Sequence, residues 1–177
     1  MTNSKVKVAV GMSGGVDSSV AAYLLTESGY DVQGIFMKNW EEDDSDECSS
    51  KEDYEDARRV CKHLGIELNL VNFSDKYWTN VFETFIQELK KGFTPNPDIF
   101  CNKEIKFKQY YDYAMSLNFD LIATGHYARK ENISDPELHI PKDIIKDQTY
   151  FLYMMKEDVL RNTLFPLEQL NKDEVKR

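Results

Sequence analysis

The sequence is short of cysteine, of long apolar runs and of positive charge. Three cysteines, Cys48, Cys61 and Cys101, are spread over 177 residues. They are too few and too scattered for a disulfide scaffold, and the absence of a C-x-x-C pair excludes a zinc ribbon. No stretch approaches the ~20 apolar residues of a membrane helix. Lys plus Arg total 22 against 31 Asp plus Glu, a net charge of −9, which excludes a uniformly basic, nucleic-acid-coating surface but leaves room for a local patch. No internal repeat is visible. What is present suffices for one folded domain: 41% hydrophobic and 12% aromatic residues rule out wholesale disorder. The first strand-like run starts almost at residue 1, so a signal or transit peptide is not expected and the cytosol is the default location. Asn72-Phe73-Ser74 and Asn132-Ile133-Ser134 have the form of glycosylation acceptors, which carry no meaning in a cytosolic chain.

Short apolar runs alternate with longer helical stretches. Strands are expected at Lys5 to Val10, Val32 to Met37, Glu67 to Val71 and Asp120 to Ala123. Helices are expected over Gly15 to Ser28, Lys51 to His63, Asp75 to Lys91 and Lys103 to Leu117. Val16, Val20, Tyr23 and Leu24 form the expected inner stripe of the first, and Gly29 its stop. Tyr54, Ala57, Cys61 and Leu64 do the same for the second. Trp78, Phe82, Phe85 and Leu89 do so for the third, as core and not as a base-stacking platform. Such alternation predicts an α/β fold, a parallel sheet with helices on both faces. Ligands of such sheets bind beyond the carboxyl ends of the strands, which singles out Gly11 to Ser19, Met37 to Trp40 and Gly125 to Tyr127. Glu41 to Glu47 is acidic and reads as a loop, Gly92 to Asn102 carries two prolines, and Arg129 to Ile145 reads as irregular. A charged helical fragment, Asn171 to Arg177, ends the chain without a stop signal, so the chain reads as cut there.

The most informative segment is Gly11-Met12-Ser13-Gly14-Gly15-Val16-Asp17-Ser18-Ser19. Glycines at a strand-to-helix turn let a ligand approach the backbone, and the turn aims free N–H groups and a helix N-terminus at an anion. Ser13, Ser18 and Ser19 add hydroxyls, and Asp17 can hold a magnesium ion bridging phosphates. The loop lacks the lysine of a Walker A motif. A capped, tightly packed helix start is the bland alternative; the whole of S-G-G-V-D-S favours phosphate. This run resembles the PP-loop of the N-type ATP pyrophosphatases, which split ATP into AMP and pyrophosphate. The resemblance implies a Rossmann-like fold of the adenine nucleotide alpha-hydrolase kind.

A second segment, Asn96-Pro97-Asp98-Ile99-Phe100-Cys101-Asn102, presents a thiol. Two prolines fix the backbone, and a helix expected to start just after Cys101 should favour the thiolate, as should Lys103 and Lys106. A low-pKa, accessible thiolate suits nucleophilic or sulfur-transfer chemistry. Cys61, on an apolar stripe, reads as core, and Cys48 follows an acidic run that disfavours a thiolate. Lys103, Lys106 and Lys108 form either a solvated helix face or the local basic patch.

N-P-D-x-x-C-N together with S-G-G-V-D-S resembles the tRNA-specific 2-thiouridylase family, over the whole chain. Gly34 to Trp40, Ala123 to Ala128 (A-T-G-H-Y-A) and Lys146 to Leu152 (K-D-Q-T-Y-F-L) extend the likeness. The resemblance implies an ATP site at Gly11, Met12, Ser13, Gly14, Gly15, Val16, Asp17, Ser18, Met37 and Gly125, with Mg2+ at Asp17. It implies that Asn96, Pro97 and Asp98 meet the wobble uridine, that His126, Lys146, Asp147 and Gln148 contact tRNA, and that Cys101 is catalytic. The family adenylates the uridine 2-oxygen, and a persulfide on a second cysteine, loaded by a sulfur-carrier protein, delivers sulfur; Cys101 assists by releasing sulfide or by forming a disulfide with that cysteine. That second cysteine, a central domain and a β-barrel are expected beyond residue 177. Residues 1–165 would then be the ATP-binding domain and 166–177 the start of a linker or central domain. Such a chain should bind ATP without completing thiolation. Two other readings of the same loop are an amide-forming ligase, which would tolerate Cys101→Ser, and a non-enzymatic ATP-binding domain, which would release no pyrophosphate.

Overall fold

The computed structural model describes residues 5–39, 49–132 and 134–177. Trp40, the acidic run Glu41 to Glu47, Cys48 and the central residue of the second glycosylation-like triplet, Ile133, lie outside the described residues.

A five-stranded sheet carries the fold. Its strands are β1 (Lys7–Met12), β2 (Asp31–Lys38), β3 (Leu68–Asn72), β4 (Leu121–Ala123) and β7 (Thr163–Leu164), in the order β3-β2-β1-β4-β7. Every pairing is parallel, as strand–helix alternation demands. Side chains alternate along the central strand: Val8, Val10 and Met12 enter one core and Ala9 the other, and this two-residue period is how a doubly covered strand buries itself. Helices α1 (Val16–Glu27) and α2 (Ser49–Leu64) pack around the first core. The second is covered by two longer helical segments. In one, Ser74–Tyr77 (α3) runs through a π-helical stretch, Trp78–Phe82, into Glu83–Lys90 (α4). In the other, Pro97–Cys101 (α5) runs through a second π-helical stretch, Asn102–Gln109, into Tyr110–Ser116 (α6). Tyr110 is fully buried, and its hydroxyl donates to the Ala9 carbonyl at 2.8 Å, tying α6 to the central strand.

The order of strands reverses at β1: β2 and β3 lie to one side, β4 and β7 to the other. Loops leaving β1 and β4 therefore diverge at a topological switch point, where open α/β sheets bind ligands.

Several expectations need correcting. On α1 the inward residues are Ser18, Ala21, Ala22 and Leu25, whereas Val16 and Tyr23 are exposed. Small side chains let this helix sit close to the sheet. Val20 and Leu24 are half-buried on a different flank, by the C-terminal segment. Trp78 and Leu89 are exposed and Phe82 and Phe85 only half-buried, while Val81 is fully buried; a π-turn adds a residue and shifts the 3.6-residue phase. Trp78 packs on Phe82, with ring centroids 4.7 Å apart. The region read as irregular contains an antiparallel hairpin, β5 (Arg129–Glu131) with β6 (Glu137–His139). β7, of two residues, and α7 (Glu157–Arg161), of five, were not expected at all. The charged fragment at the end forms α8 (Lys172–Val175) behind a capping box of Asn171 and Glu174, and Val175 and Leu167 are buried against Ala21 and Tyr127. No helix among the described residues is long and apolar enough to cross a membrane.

Candidate functional site

The glycine-rich turn links β1 to α1 and is held by its own serines. Ser18 Oγ accepts from the Ser13 amide at 3.2 Å and donates to the Gly15 carbonyl at 3.0 Å, and Ser19 Oγ donates to the same carbonyl at 2.9 Å. These hydroxyls shape the loop. The donors left free at this turn are then the first-turn amides of α1, which have no acceptor within the helix. Gly14 has φ +80°, and a Cβ there would stand 2.4 Å from the Asp53 carbonyl oxygen on α2. Gly15 differs: around it only Ser13 Oγ, at 3.5 Å, is near, so the cradle is open at this point. Met12 turns its side chain into the core and has only its backbone to offer a nucleotide. Met37 is half-buried at the end of β2, its Cε 3.3 Å from a would-be Gly11 Cβ. Gly125 backs onto the Asp17–Ser18 peptide, where a Cβ would meet Asp17 C and Ser18 N at 2.7 Å. The loops after β1 and β4 thus interlock.

Asp17 is engaged. Its Oδ1 accepts from Tyr127 Oη at 3.0 Å and from Lys172 Nζ at 2.5 Å. Neither partner was anticipated. Burial and the Asp17 carboxylate push the Tyr127 phenol well above its usual range, so Tyr127 is a firm donor. Among the described residues no group of three or more His, Cys, Asp or Glu gathers to hold a metal ion. Asp17 alone fits the one-carboxylate share that proteins commonly give to a magnesium ion whose remaining ligands are phosphates and water.

The thiol segment departs from expectation. Asn96 caps a helix, its Oδ1 accepting from the Asp98 amide at 2.9 Å, and Pro97 opens that helix as its first residue. Pro at this position starts a helix, because the amide it lacks would be unpaired anyway. Cys101 is therefore the fifth helical residue, half-buried, and neither in a loop nor at an N-terminus. Burial pushes its thiol up, Lys106 opposes, and Asp98 adds to the rise. The accessible, low-pKa thiolate expected of Cys101 is thus overturned: at neutral pH it is a thiol. Lys103 and Lys108 both pair with Glu104, at 3.4 and 2.7 Å, on a solvated face. Cys61 is buried in the first core, as its stripe implied, and burial raises its thiol too.

Lys106 also faces His126. Burial first, then Lys106, holds the His126 imidazole well below its ordinary pKa, and it is neutral at pH 7. Its Nδ1 lies 2.8 Å from Thr124 Oγ1, and its ring 5.8 Å from that of Phe107. Gln148 is bonded in both directions to Tyr127, Oε1 accepting from the Tyr127 amide at 2.9 Å and its own amide donating to the Tyr127 carbonyl at 3.0 Å. Asp147 accepts from Thr149, at 2.9 Å from the amide and 2.7 Å from the hydroxyl, while Lys146 and Asp98 are exposed and Asn96 and Pro97 half-buried. Asn102 is buried beside Cys101. Its Nδ2 donates to the Phe151 carbonyl at 3.0 Å, and its Oδ1 has no partner among the described residues. The structure thus sets Gly125 against the start of α1, while His126 and Cys101 share Lys106 as a charged neighbour.

A family model described as the tRNA methyl transferase HUP domain matches residues 6–177. The tRNA-specific 2-thiouridylase MnmA of Idiomarina loihiensis is 55% identical over 180 residues, covering 100% of this chain and 48% of that protein. Its namesake from Pseudomonas putida is 56% identical over 175 residues, covering 98% and 47%. The chain spans about half the length of the curated relatives it matches. Among solved structures, the U34-tRNA thiolase NcsA from Methanococcus maripaludis, solved with its 4Fe-4S cluster, superposes with a TM-score of 0.58 at 27% identity, over 97% of this chain and 54% of that one. An NH3-dependent NAD synthetase from Campylobacter jejuni shares the fold, with a TM-score of 0.52 at 20% identity, over 98% and 62%.

Proposed function

The chain belongs to the family described as the tRNA methyl transferase HUP domain, and from that footing we propose that it is the ATP-binding part of a cytosolic tRNA 2-thiouridylase. The observation that carries the reading is the A-T-G-H-Y segment, which touches both halves of the chemistry. Gly125 lies against the PP-loop, and His126 shares Lys106 with Cys101.

In this reading Gly11 to Ser18 cradle the triphosphate, and Met37 and Gly125 border the adenine and ribose. Asp17 supplies the carboxylate for Mg2+, which neutralises phosphate charge when bound. Asn96 to Asp98 meet the wobble uridine, and His126 and Lys146 to Gln148 meet the surrounding tRNA. A neutral His126 suits close approach to a base, since it neither repels a cation nor adds charge to be desolvated. The uridine 2-oxygen attacks the α-phosphorus and pyrophosphate leaves. Sulfur then attacks carbon 2, and AMP departs with the former carbonyl oxygen. Without adenylation that oxygen is a poor leaving group. Sulfur would come from a sulfur-carrier protein through a persulfide on a cysteine beyond residue 177, whose outer sulfur makes the attack. The Cys101 thiol then attacks the inner sulfur, so that the S–S bond breaks with its electron pair staying on the sulfur left at carbon 2 and the two cysteines close a disulfide. Residues 1–165 form the body of the ATP-binding unit in this proposal, and 166–177, packed on it through Leu167 and Val175, lead on toward a linker or central domain.

Product analysis tests it. ATP and Mg2+ are supplied with and without unmodified tRNA, to the chain and to Asp17→Asn. AMP and pyrophosphate that depend on tRNA and on Asp17 are expected. ADP as product, or no ATP binding, overturns the reading.

A further inference from the structure

A lysine is missing from the glycine-rich loop, yet the structure puts one there. Lys172, on α8, places Nζ 2.5 Å from Asp17 Oδ1 across 155 residues of sequence. We propose that Lys172 is a polyphosphate-binding residue of the nucleotide site, supplying the cation that the loop itself does not carry. The inference rests on the ATP reading above and assigns a residue within it.

Electrostatics make the need plain. A triphosphate entering this loop meets the Asp17 carboxylate in a chain of net charge −9. An ammonium beside that carboxylate offsets the repulsion. It has three donors: Asp17 takes one, and Tyr127, which donates to the same oxygen, takes none. Among the described residues no other acceptor engages Nζ. The side chain is one-fifth exposed, enough to reach an incoming anion but not to wander.

Its position is built. The Lys172 amide donates to Asp143 Oδ2 at 2.8 Å, and Asn171 and Glu174 close a capping box around it. Glu174 is paired in turn with Lys142 at 3.0 Å. Val175 and Leu167 anchor the segment on Ala21 and Tyr127, and Nζ stands 5.9 Å from the Tyr127 ring. A solvated surface lysine has no such set of restraints.

Ligand dissection separates a phosphate contact from a brace. Binding of Mg·ATP, pyrophosphate and adenosine is measured by calorimetry for the chain, for Lys172→Met and for Lys142→Ala. Lys172→Met should weaken Mg·ATP and pyrophosphate by about tenfold or more, the scale of a charged hydrogen bond. Adenosine should change by no more than about twofold, within the scatter expected of a position that does not touch it. Lys142→Ala, which removes one exposed ion pair of the segment and leaves the ammonium and the capping box in place, should shift all three affinities by no more than about twofold. In the unaltered chain, pyrophosphate but not adenosine should protect Lys172 from amine acetylation read by mass spectrometry, and this needs no variant to fold. Equal affinities in Lys172→Met, parallel losses that include adenosine, or unprotected acetylation would overturn the inference while leaving ATP binding intact. An unaltered chain that binds no Mg·ATP would sink the ATP reading itself, and the inference with it.

Discussion

The glycine-rich end and the thiol end of this molecule obey different physics. At the glycine-rich end, the geometry is fixed by close backbone contacts. Gly14, Gly125 and the serine hydroxyls hold a loop whose conformation is over-determined by close contacts with α2 and with the loop after β4. At the thiol end, function depends on side-chain environment. Cys101 and His126 are both kept neutral by burial, with one cation, Lys106, set against the first and reinforcing the second. A rigid cradle suits a ligand of fixed shape such as a triphosphate. A pair of neutral, poised groups suits chemistry that starts only when a substrate alters their surroundings.

The largest expected effect tests the rigidity of the cradle. Gly14→Ala forces a Cβ into positive-φ backbone and onto the Asp53 carbonyl, at 2.4 Å. Strain and overpacking together should cost about 3 kcal/mol in urea unfolding. Gly15→Ala, in an extended N-cap conformation with open space around it, should cost less than about 1 kcal/mol. Equal costs would mean that the cradle is not held by α2. Gly125→Ala should fall between, having the 2.7 Å clashes with Asp17 and Ser18 but no positive φ.

His126 gives the next effect, and it distinguishes the two ends by pH. Its folded pKa lies below its ordinary value. The unfolded chain therefore takes up a proton near pH 6.5 that the folded chain refuses. The resulting stabilisation is fully present above pH 6.5 and is lost as pH falls below it, by about 1 kcal/mol between pH 6.5 and 5.5. His126→Asn should flatten that slope. Asp143, Glu174 and Glu104, held below their ordinary values by hydrogen bonds and lysines, also lose stabilisation on acidification, but in the carboxylate range. A slope unchanged by His126→Asn between pH 6.5 and 5.5 would show that the thiol end does not keep its histidine neutral.

The same division governs what could be read from sequence. β1 and β2 are near-continuous apolar runs of a doubly covered sheet, β3 and β4 are shorter apolar runs, and the turn after β1 is a run of adjacent motif residues, so all are legible. β5 and β6, as short as β4, are mostly charged and half-exposed and show no apolar run, and β7 has only two residues. The inner face of α1 was misassigned because alanines, not valines, give the closest approach to a sheet. The stripe from Trp78 to Leu89 slipped because a π-turn adds a residue that periodicity does not count. Asn96-Pro97 reads as a loop in sequence but caps and opens a helix. Cys101 accordingly sits at a half-buried helical position and not at an exposed dipole position, and the sense of its pKa is reversed. The pairing of Lys172 and Tyr127 with Asp17 leaves no local trace, since the partners lie far apart in the chain.

The smallest effect is the sharpest test of the thiol end. Burial raises the Cys101 thiol, Lys106 lowers it and Asp98 raises it, so the two neighbours can be removed separately. Alkylation by iodoacetamide proceeds through the thiolate. Lys106→Met should slow it and Asp98→Asn should speed it, each by about two- to fivefold at pH 8, the size of a half-unit change in pKa. The half-maximal pH for alkylation of the unaltered chain should lie above that of an exposed cysteine, about 8.5. Cys61, raised by burial alone, provides the internal standard: peptide mapping should find it unmoved by either substitution. A general loosening of the fold would speed both cysteines together. Opposite shifts at Cys101 with none at Cys61 would locate the control of this thiol in Lys106 and Asp98, inside a helix whose burial sets the baseline.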